Sequence, residues 1–226
     1  MAKKFRIIKD AVTDACGNAY DAVEIGGHVW TASNLRTTKY SDGSDIGKDG
    51  AEDGKSAYFG YPLGLNCFSN EKLEKYGLLY NYRAVAGGLA PEGWHVPSLA
   101  EWERLFAFLA DDPDCNLRPL LPDPWKSPIA KSLCASRDWN ICQYPGTVGY
   151  RKKYNNASSF CAEPSGYYMF GKAFSMGEFA YFLTSDTTPD MADHSVGVVV
   201  GYSERHPMHS NYSTAIGMSV RCVKDE

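Results

Sequence analysis

The residues whose types could do chemistry gather in one polar stretch near the C-terminus, LTSDTTPDMADHSVGVVVGYSERHPMHSNYST, at positions 183–214. Its histidines and carboxylates are of the types that bind metal ions. A metal shared by His206 and His209 would need both on one helix face, but Pro207 lies between them and breaks a helix. The stretch therefore predicts a loop whose histidines bind no metal, and no cofactor is expected.

The same stretch suits recognition by contact, because it is dense in Ser, Thr, Asp, His, Asn and Tyr and has no lysine. Such side chains form adaptable binding surfaces, and Tyr and Arg are frequent hot spots. We expect a ligand-binding face within 184–214. Its predicted contact residues are Asp186, Thr187, Thr188, Asp190, Asp193, His194, Tyr202, Glu204, Arg205, His206, Met208, His209, Asn211 and Tyr212. The alternative is a polar surface loop around a buried strand at 197–200.

Signatures of known catalytic sites are missing from the sequence. It contains no G-x-S-x-G, no P-loop and no G-x-G-x-x-G. The acidic run SDGSDIGKDGAEDGK at 41–55 lacks the ligand spacing of an EF-hand, so we expect a solvated loop over 41–70 rather than a calcium site. These observations predict a protein that is not an enzyme.

Seven cysteines are spread along the chain, at Cys16, Cys67, Cys115, Cys134, Cys142, Cys161 and Cys222. The number is odd, so at least one has no partner within the chain. No C-x-x-C occurs, which disfavours a zinc site. Disulfide pairs and buried thiols both remain open.

Composition limits the class of protein. The 226 residues carry 23 Lys+Arg against 27 Asp+Glu, a net charge of −4, which disfavours a nucleic-acid partner. No apolar run reaches the length of a membrane span, and MAKKFRIIKDAV lacks the apolar core of a signal peptide. The length predicts a single domain over 1–226, with 1–12 as an N-terminal extension. The oligomeric state and the compartment stay open.

Short elements alternate along the chain. Ser98 and Glu101 form a capping-box pattern before a helix predicted at 99–110, which Asp111, Asp112 and Pro113 would end. A weaker helix is predicted at 128–136. Runs rich in β-branched and aromatic residues predict a hairpin across Gly26-Gly27 and strands near 77–82, 160–162, 166–168, 179–183, 196–202 and 218–223. Two helices among short strands indicate an α+β fold.

Several large or charged side chains read as structural. Trp30, Trp94 and Trp102 are predicted core residues, because an indole buries much apolar area. His95 lies between two apolar residues and is expected to have hydrogen-bond partners. Arg221 lies in the predicted closing strand, so we expect it to pair with a buried carboxylate or carbonyl.

The chain resembles the Fibrobacter succinogenes major paralogous domain family from about residue 10 to its end. The matching motifs are DACGN with Tyr20, Ile25-Gly26, Trp30, Asn34-Leu35, YGLLYN at 76–81, PEGWHVP at 91–97, Glu101-Trp102 and GMSVRCVKD at 217–225. The GWHVP block and the SVRCV ending are specific when they occur together.

This resemblance implies a C-type lectin-like fold, with two helices packed on short antiparallel strands, displayed on a cell or virion surface. It also implies a module that binds a protein or glycan ligand through a C-terminal face, one that a retroelement can diversify. Two alternatives come with it. The first is an enzyme related to formylglycine-generating enzymes, which use a pair of late cysteines where this chain has only Cys222. The second is a structural adhesin or assembly-tip domain.

Overall fold

A computed structural model describes residues 5–48, 56–62, 69–116 and 123–226. Cys67 and half of the acidic run at 41–55 lie outside the described residues. The architecture is α+β, as the sequence predicts. The strands are β1 Arg6–Thr13, β2 Ala19–Ile25, β3 His28–Thr31, β4 Gly47–Lys48, β5 Tyr58–Gly60, β6 Leu79–Tyr80, β7 Trp94–His95, β8 Tyr167–Met169, β9 Lys172–Phe174, β10 Phe179–Thr187, β11 His194–Gly201, β12 Met208–Ser213 and β13 Val223–Lys224. The helices are α1 Asn70–Tyr76, α2 Tyr82–Ala86, α3 Leu99–Asp111 and α4 Ala130–Leu133.

One sheet joins the two ends of the chain, with strands in the order β1-β2-β3-β13-β7. The predicted hairpin between β2 and β3 is confirmed, and its two turn residues, Gly26 and Gly27, have φ of +63° and +84°. Glycine adopts this left-handed conformation without steric cost. Val223 of β13 pairs with Trp30 on one side and His95 on the other. The predicted strand at 218–223 is therefore mostly wrong, because only Val223 of it lies in a strand.

A second sheet holds β10, β11 and β12 in that order, all antiparallel. Side chains alternate between the two faces of each strand. Phe182 and Val198 point into a core cluster that also contains Trp102 of α3. Tyr181 and Tyr212 lie on the opposite face. This sheet carries the polar stretch that was predicted to bind a ligand. The interpretation of 206–209 as a loop is wrong from Met208 onward, because β12 begins at that residue.

The helices agree with the sequence only in part. The capping box of α3 is present, since Ser98 accepts from the Glu101 amide while the Glu101 carboxylate accepts from the Ser98 amide. The second predicted helix is shorter than expected, at Ala130–Leu133. Two further helices, α1 and α2, were not predicted, so the expectation of two helices is wrong. Ser69 and Asn81 cap them by accepting hydrogen bonds from backbone amides.

The residues read as structural are confirmed as such. Trp30, Trp94 and Trp102 are buried, and the rings of Trp30 and Trp102 lie 5.0 Å apart. Arg221 is completely buried and donates hydrogen bonds to carbonyl oxygens, which are one of the two kinds of partner expected for it. Asp14 organises the turn at 14–18 by accepting from the amides of Cys16 and Asn18 at 2.8 and 3.0 Å.

His95 links helix α3 to the C-terminus. Its Nδ1 lies 2.7 Å from Asp225 Oδ1, and its Nε2 lies 2.7 Å from Glu101 Oε1. Partial burial acts to lower the His95 pKa, but the hydrogen bonds to Asp225 and Glu101 outweigh it, so the pKa is raised above its ordinary value.

This linkage predicts a pH-dependent stability. A raised pKa in the folded state stabilises at low pH, and the contribution is lost as the pH rises through that pKa. Since the His95 side chain is 41% exposed, we expect a loss of no more than about 1 kcal/mol as the pH rises above about 6.5, the ordinary pKa of histidine. His95→Gln should flatten this part of the profile, measured by urea unfolding at each pH. An unchanged slope in His95→Gln would contradict the assignment.

Candidate functional site

A shallow cavity of about 240 Å³ opens on the β10–β12 sheet, on the face away from α3. We call it the tyrosine cavity. It is lined by Tyr167, Met169, Tyr181, Tyr212, Ile216 and Met218. The rings of Tyr167 and Tyr212 both meet Tyr181 edge-on, with centroids 5.5 and 5.8 Å away. Edge-to-face packing of this kind fixes the rings relative to one another.

The three phenol hydroxyls are available to a ligand. Within the described part of the chain, the hydroxyls of Tyr167, Tyr181 and Tyr212 form no hydrogen bond. Burial raises the pKa of Tyr181 to about 12 and raises that of Tyr212. Both phenols are therefore neutral at physiological pH, so each can donate one hydrogen bond and accept another.

Two local features of the chain build this cavity. Gly197 of β11 lies beneath Tyr212, and a Cβ there would come within 2.9 Å of the Tyr212 ring. The β8–β9 hairpin supplies Tyr167, which stacks on Phe174 at 5.3 Å. The turn of that hairpin places Phe170 at φ +51° with 54% of its surface exposed. A bulky residue is uncommon in that conformation.

The predicted contact residues do not form one continuous face. Thr187 to His194 surround the β10–β11 turn, whereas Tyr202 to His206 follow the other end of β11. Seven strand residues, 195–201, separate the two groups, a length of roughly 25 Å from His194 to Tyr202. One binding event on a small ligand therefore cannot use both groups.

At the β10–β11 turn several predicted contacts have structural partners. Asp186 accepts from the Leu99 amide at 2.6 Å, so its carboxylate caps α3. The backbones of Thr188, Asp193 and His194 hold the turn through hydrogen bonds to one another, to Met191 and to Thr214. Thr187, Asp190 and Asp193 are exposed and turn their side chains to solvent.

At the far end of β11, the segment 202–206 packs against α4 and the loop at 148–149. Arg205 O accepts from the Ala130 amide at 3.0 Å, and Glu204 O accepts from the Val148 amide at 3.1 Å. Tyr202 is half-buried against the core. His206 is half-buried too, and its Nδ1 lies 3.4 Å from the carbonyl of Pro207. The Arg205 side chain is exposed.

Strand β12 divides the remaining predicted contacts between two faces. Met208 and Tyr212 lie on the face of the tyrosine cavity, because they pair with Val199 and Ser195. His209 and Asn211 lie on the other face, where the His209 ring contacts Trp125 at 4.5 Å. Tyr212 is thus the one predicted contact residue that lines the tyrosine cavity.

Tyr167 and Tyr181, the other two tyrosines of the site, were not among the predicted contact residues. The alternation of side chains along β10 contained a signal for Tyr181, because this residue lies between the core residues Ala180 and Phe182. A tyrosine at the outward position of a strand bounded by core residues is a candidate for a solvent-facing contact.

Metal and thiol chemistry find little support in the described residues. No group of three His, Cys, Asp or Glu side chains is placed there to hold a metal ion. Burial raises the pKa of Cys134, Cys161 and Cys222, so these thiols are not activated. Burial also acts to raise the Cys16 pKa, but hydrogen bonds with Thr37 and Thr38 outweigh it and lower the pKa. Neither threonine is a base, so these contacts do not pair the thiol with a proton acceptor.

In the part of the chain that the structure describes, no helix has both the length and the apolar character needed to cross a membrane. No curated protein and no solved structure matches the chain. A family model described as the Fibrobacter succinogenes major domain matches residues 23–224. Since that match covers most of the 226 residues, the chain belongs to the Fibrobacter succinogenes major domain family.

Proposed function

We propose that this protein is a non-enzymatic binding module of C-type lectin-like fold, and that the tyrosine cavity is its contact face for a protein or glycan ligand. The observation that carries the proposal is the set of three packed tyrosines whose hydroxyls have no partner among the described residues. The α+β architecture, in which one sheet joins the two ends of the chain, is compatible with the fold that the resemblance implies.

The physical case rests on preorganisation. Each tyrosine offers apolar area and a hydroxyl while losing only two side-chain torsions on binding. Here the rings are already held by edge-to-face contacts and by the rigid sheet beneath them, so little further ordering is needed. A ligand that covers the rings and bonds to the hydroxyls would gain binding free energy both from buried apolar area and from hydrogen bonds.

Tyr181 gives the sharpest test, because it touches both neighbouring tyrosines. A glycan array and a panel of surface proteins would be screened with the wild type, Tyr181→Ala, Tyr181→Phe and Tyr144→Ala. Tyr144 is 70% exposed and lies outside the tyrosine cavity, so its variant is the matched control. We expect Tyr181→Ala to weaken binding at least about tenfold, since it removes a central aromatic contact.

Tyr181→Phe separates ring contacts from hydroxyl bonds and should weaken binding about three- to tenfold, the value of one neutral hydrogen bond. The variants must first show wild-type circular dichroism. A ligand lost from Tyr144→Ala but kept by Tyr181→Ala would overturn the proposed face. A wild type that binds nothing on either panel would overturn the binding function itself and favour an assembly role.

Diversification of this module by a retroelement stays a prediction from the resemblance. It has a test that needs no protein. The neighbouring DNA should encode a reverse transcriptase and carry a near-copy of the 3′ end of the gene that differs at adenines. Absence of both would remove diversification and leave the binding function standing.

A further inference from the structure

A second cavity, of about 260 Å³, lies beside α4 and the segment 202–206 that follows β11. We call it the basic cavity. Its lining includes Asp114, Lys131, Gly146, Tyr154 and Arg205. Two cations thus face one concave surface in a protein whose net charge is −4. The tyrosine cavity shares no residue with it.

The walls of the basic cavity are held in place by Lys131. Its ammonium donates to Thr147 O at 3.2 Å, Tyr150 O at 2.6 Å and Asn155 Oδ1 at 2.6 Å. These three bonds use all its N–H groups and anchor the loop that carries Gly146 and Tyr154. The charge of Lys131 still contributes a positive potential to the cavity.

The side chain of Arg205 differs from that of Lys131 in this respect. Its guanidinium forms no hydrogen bond or ion pair with any described residue, and its backbone is fixed to α4 through the Ala130 amide. The side chain runs across Gly146, with its Nε 3.5 Å from where a Cβ of Gly146 would be. An exposed guanidinium on a fixed backbone is well suited to hold a carboxylate with two parallel hydrogen bonds.

Tyr154 gives the cavity an aromatic wall. It is 62% exposed, an unusual value for so large a side chain, and Lys153 lies over its ring at 5.0 Å. An exposed ring beside a cation can stack on the C–H face of a sugar or on another apolar ring.

The Asp114 carboxylate limits the class of anion that can bind in the basic cavity. A carboxylate in the lining repels a simple anion, but it accepts hydrogen bonds from hydroxyl groups. The ligand that suits all three groups carries a carboxylate for Arg205, hydroxyls for Asp114 and a ring for Tyr154. None of the lining residues belongs to a strand, so the cavity offers no edge on which an extended peptide could pair.

We propose that the basic cavity binds a sugar ring that bears a carboxylate, of the uronic or sialic acid type. Arg205 holds the carboxylate, Asp114 accepts from hydroxyls and Tyr154 stacks on the ring. This site is separate from the tyrosine cavity and does not depend on the function proposed for it.

Calorimetric titration with glucuronate, N-acetylneuraminate, glucose and tetraglutamate tests the inference. We expect the wild type to bind at least one of the acidic sugars and to bind glucose at least about tenfold more weakly. Arg205→Gln should weaken acidic-sugar binding about 10- to 100-fold, and Tyr154→Ala about three- to tenfold. Arg104→Gln, which removes an exposed cation of α3, is the matched control and should bind like the wild type.

Three results would overturn the proposal. The first is no binding of either acidic sugar by the folded wild type at about 10 mM. The second is tetraglutamate binding as tightly as the acidic sugar, which would assign the cavity to acidic peptides. The third is undiminished binding by Arg205→Gln. Thermal unfolding of each variant shows whether a lost affinity reflects a lost fold.

Discussion

We expect Arg221→Met to lower the free energy of unfolding by about 3–5 kcal/mol, a shift of about 6–20 °C in the unfolding midpoint for a chain of this size. Arg221 is completely buried and donates from Nε to Asn34 Oδ1 at 2.7 Å. It also donates to the carbonyls of Thr31 at 2.7 Å, Phe160 at 2.9 Å and Cys161 at 2.8 Å. Methionine keeps much of the volume but leaves all four acceptors without their donors.

The role of Arg221 is to join parts of the chain that are far apart in sequence. Its carbonyl partners lie near β3 and at 160–161, while its guanidinium lies 4.6 Å from the Phe160 ring. Burial lowers the pKa of Arg221 to about 10, so the group remains charged at neutral pH. Neutral carbonyl dipoles and an aromatic ring surround this charge, and no described carboxylate lies within 4 Å of it.

Two further variants separate charge from geometry. Arg221→Lys keeps the charge but not the planar fork, so at least one acceptor stays unpaired, and we expect a loss of about 1–3 kcal/mol. Arg104→Met on the surface of α3 is the control and should stay within about 0.5 kcal/mol of the wild type. Urea unfolding at neutral pH gives all three values. An Arg221→Met protein as stable as the control would contradict the network.

Local signals in the sequence identified much of the fold. The glycine pair of the β2–β3 turn and the capping box of α3 depend on neighbours within a few residues, so their chemistry is readable from the sequence alone. The assignment of Trp102 to the core, and of Arg221 to a buried carboxylate or carbonyl partner, followed from residue type. Each was confirmed because size or desolvation leaves few alternatives.

Features that depend on tertiary contact were harder to predict. Helices α1 and α2 have seven and five residues, too few for a helical period to show. The predicted binding face was chosen by its polar composition, but strand pairing separates its members and gives Asp186 a capping role. The tyrosine cavity combines Tyr167, Tyr181 and Tyr212 from three strands, and no sequence spacing encodes that meeting.

Trp102 is the second position where we expect a large effect, because it is the centre of the aromatic core beneath the β10–β12 sheet. Its ring lies within 5.7 Å of the rings of Trp30, Phe106, Phe160 and Phe182. Trp102→Ala removes this centre and leaves a cavity that a close-packed interior fills poorly. The expected loss is about 3–5 kcal/mol in the free energy of unfolding.

Trp102→Phe should cost much less, for a reason specific to this site. The indole Nε1 of Trp102 is buried and has no hydrogen-bond partner among the described residues. Phenylalanine therefore loses packing volume but no hydrogen bond, and it removes a buried donor that is costly to leave unpaired. We expect a net change within about 1.5 kcal/mol of the wild type. Urea unfolding of both variants decides the matter. Equal losses of unfolding free energy in Trp102→Phe and Trp102→Ala would mean that the indole N–H has a partner. A small loss in Trp102→Phe would show that Trp102 stabilises the fold through packing alone.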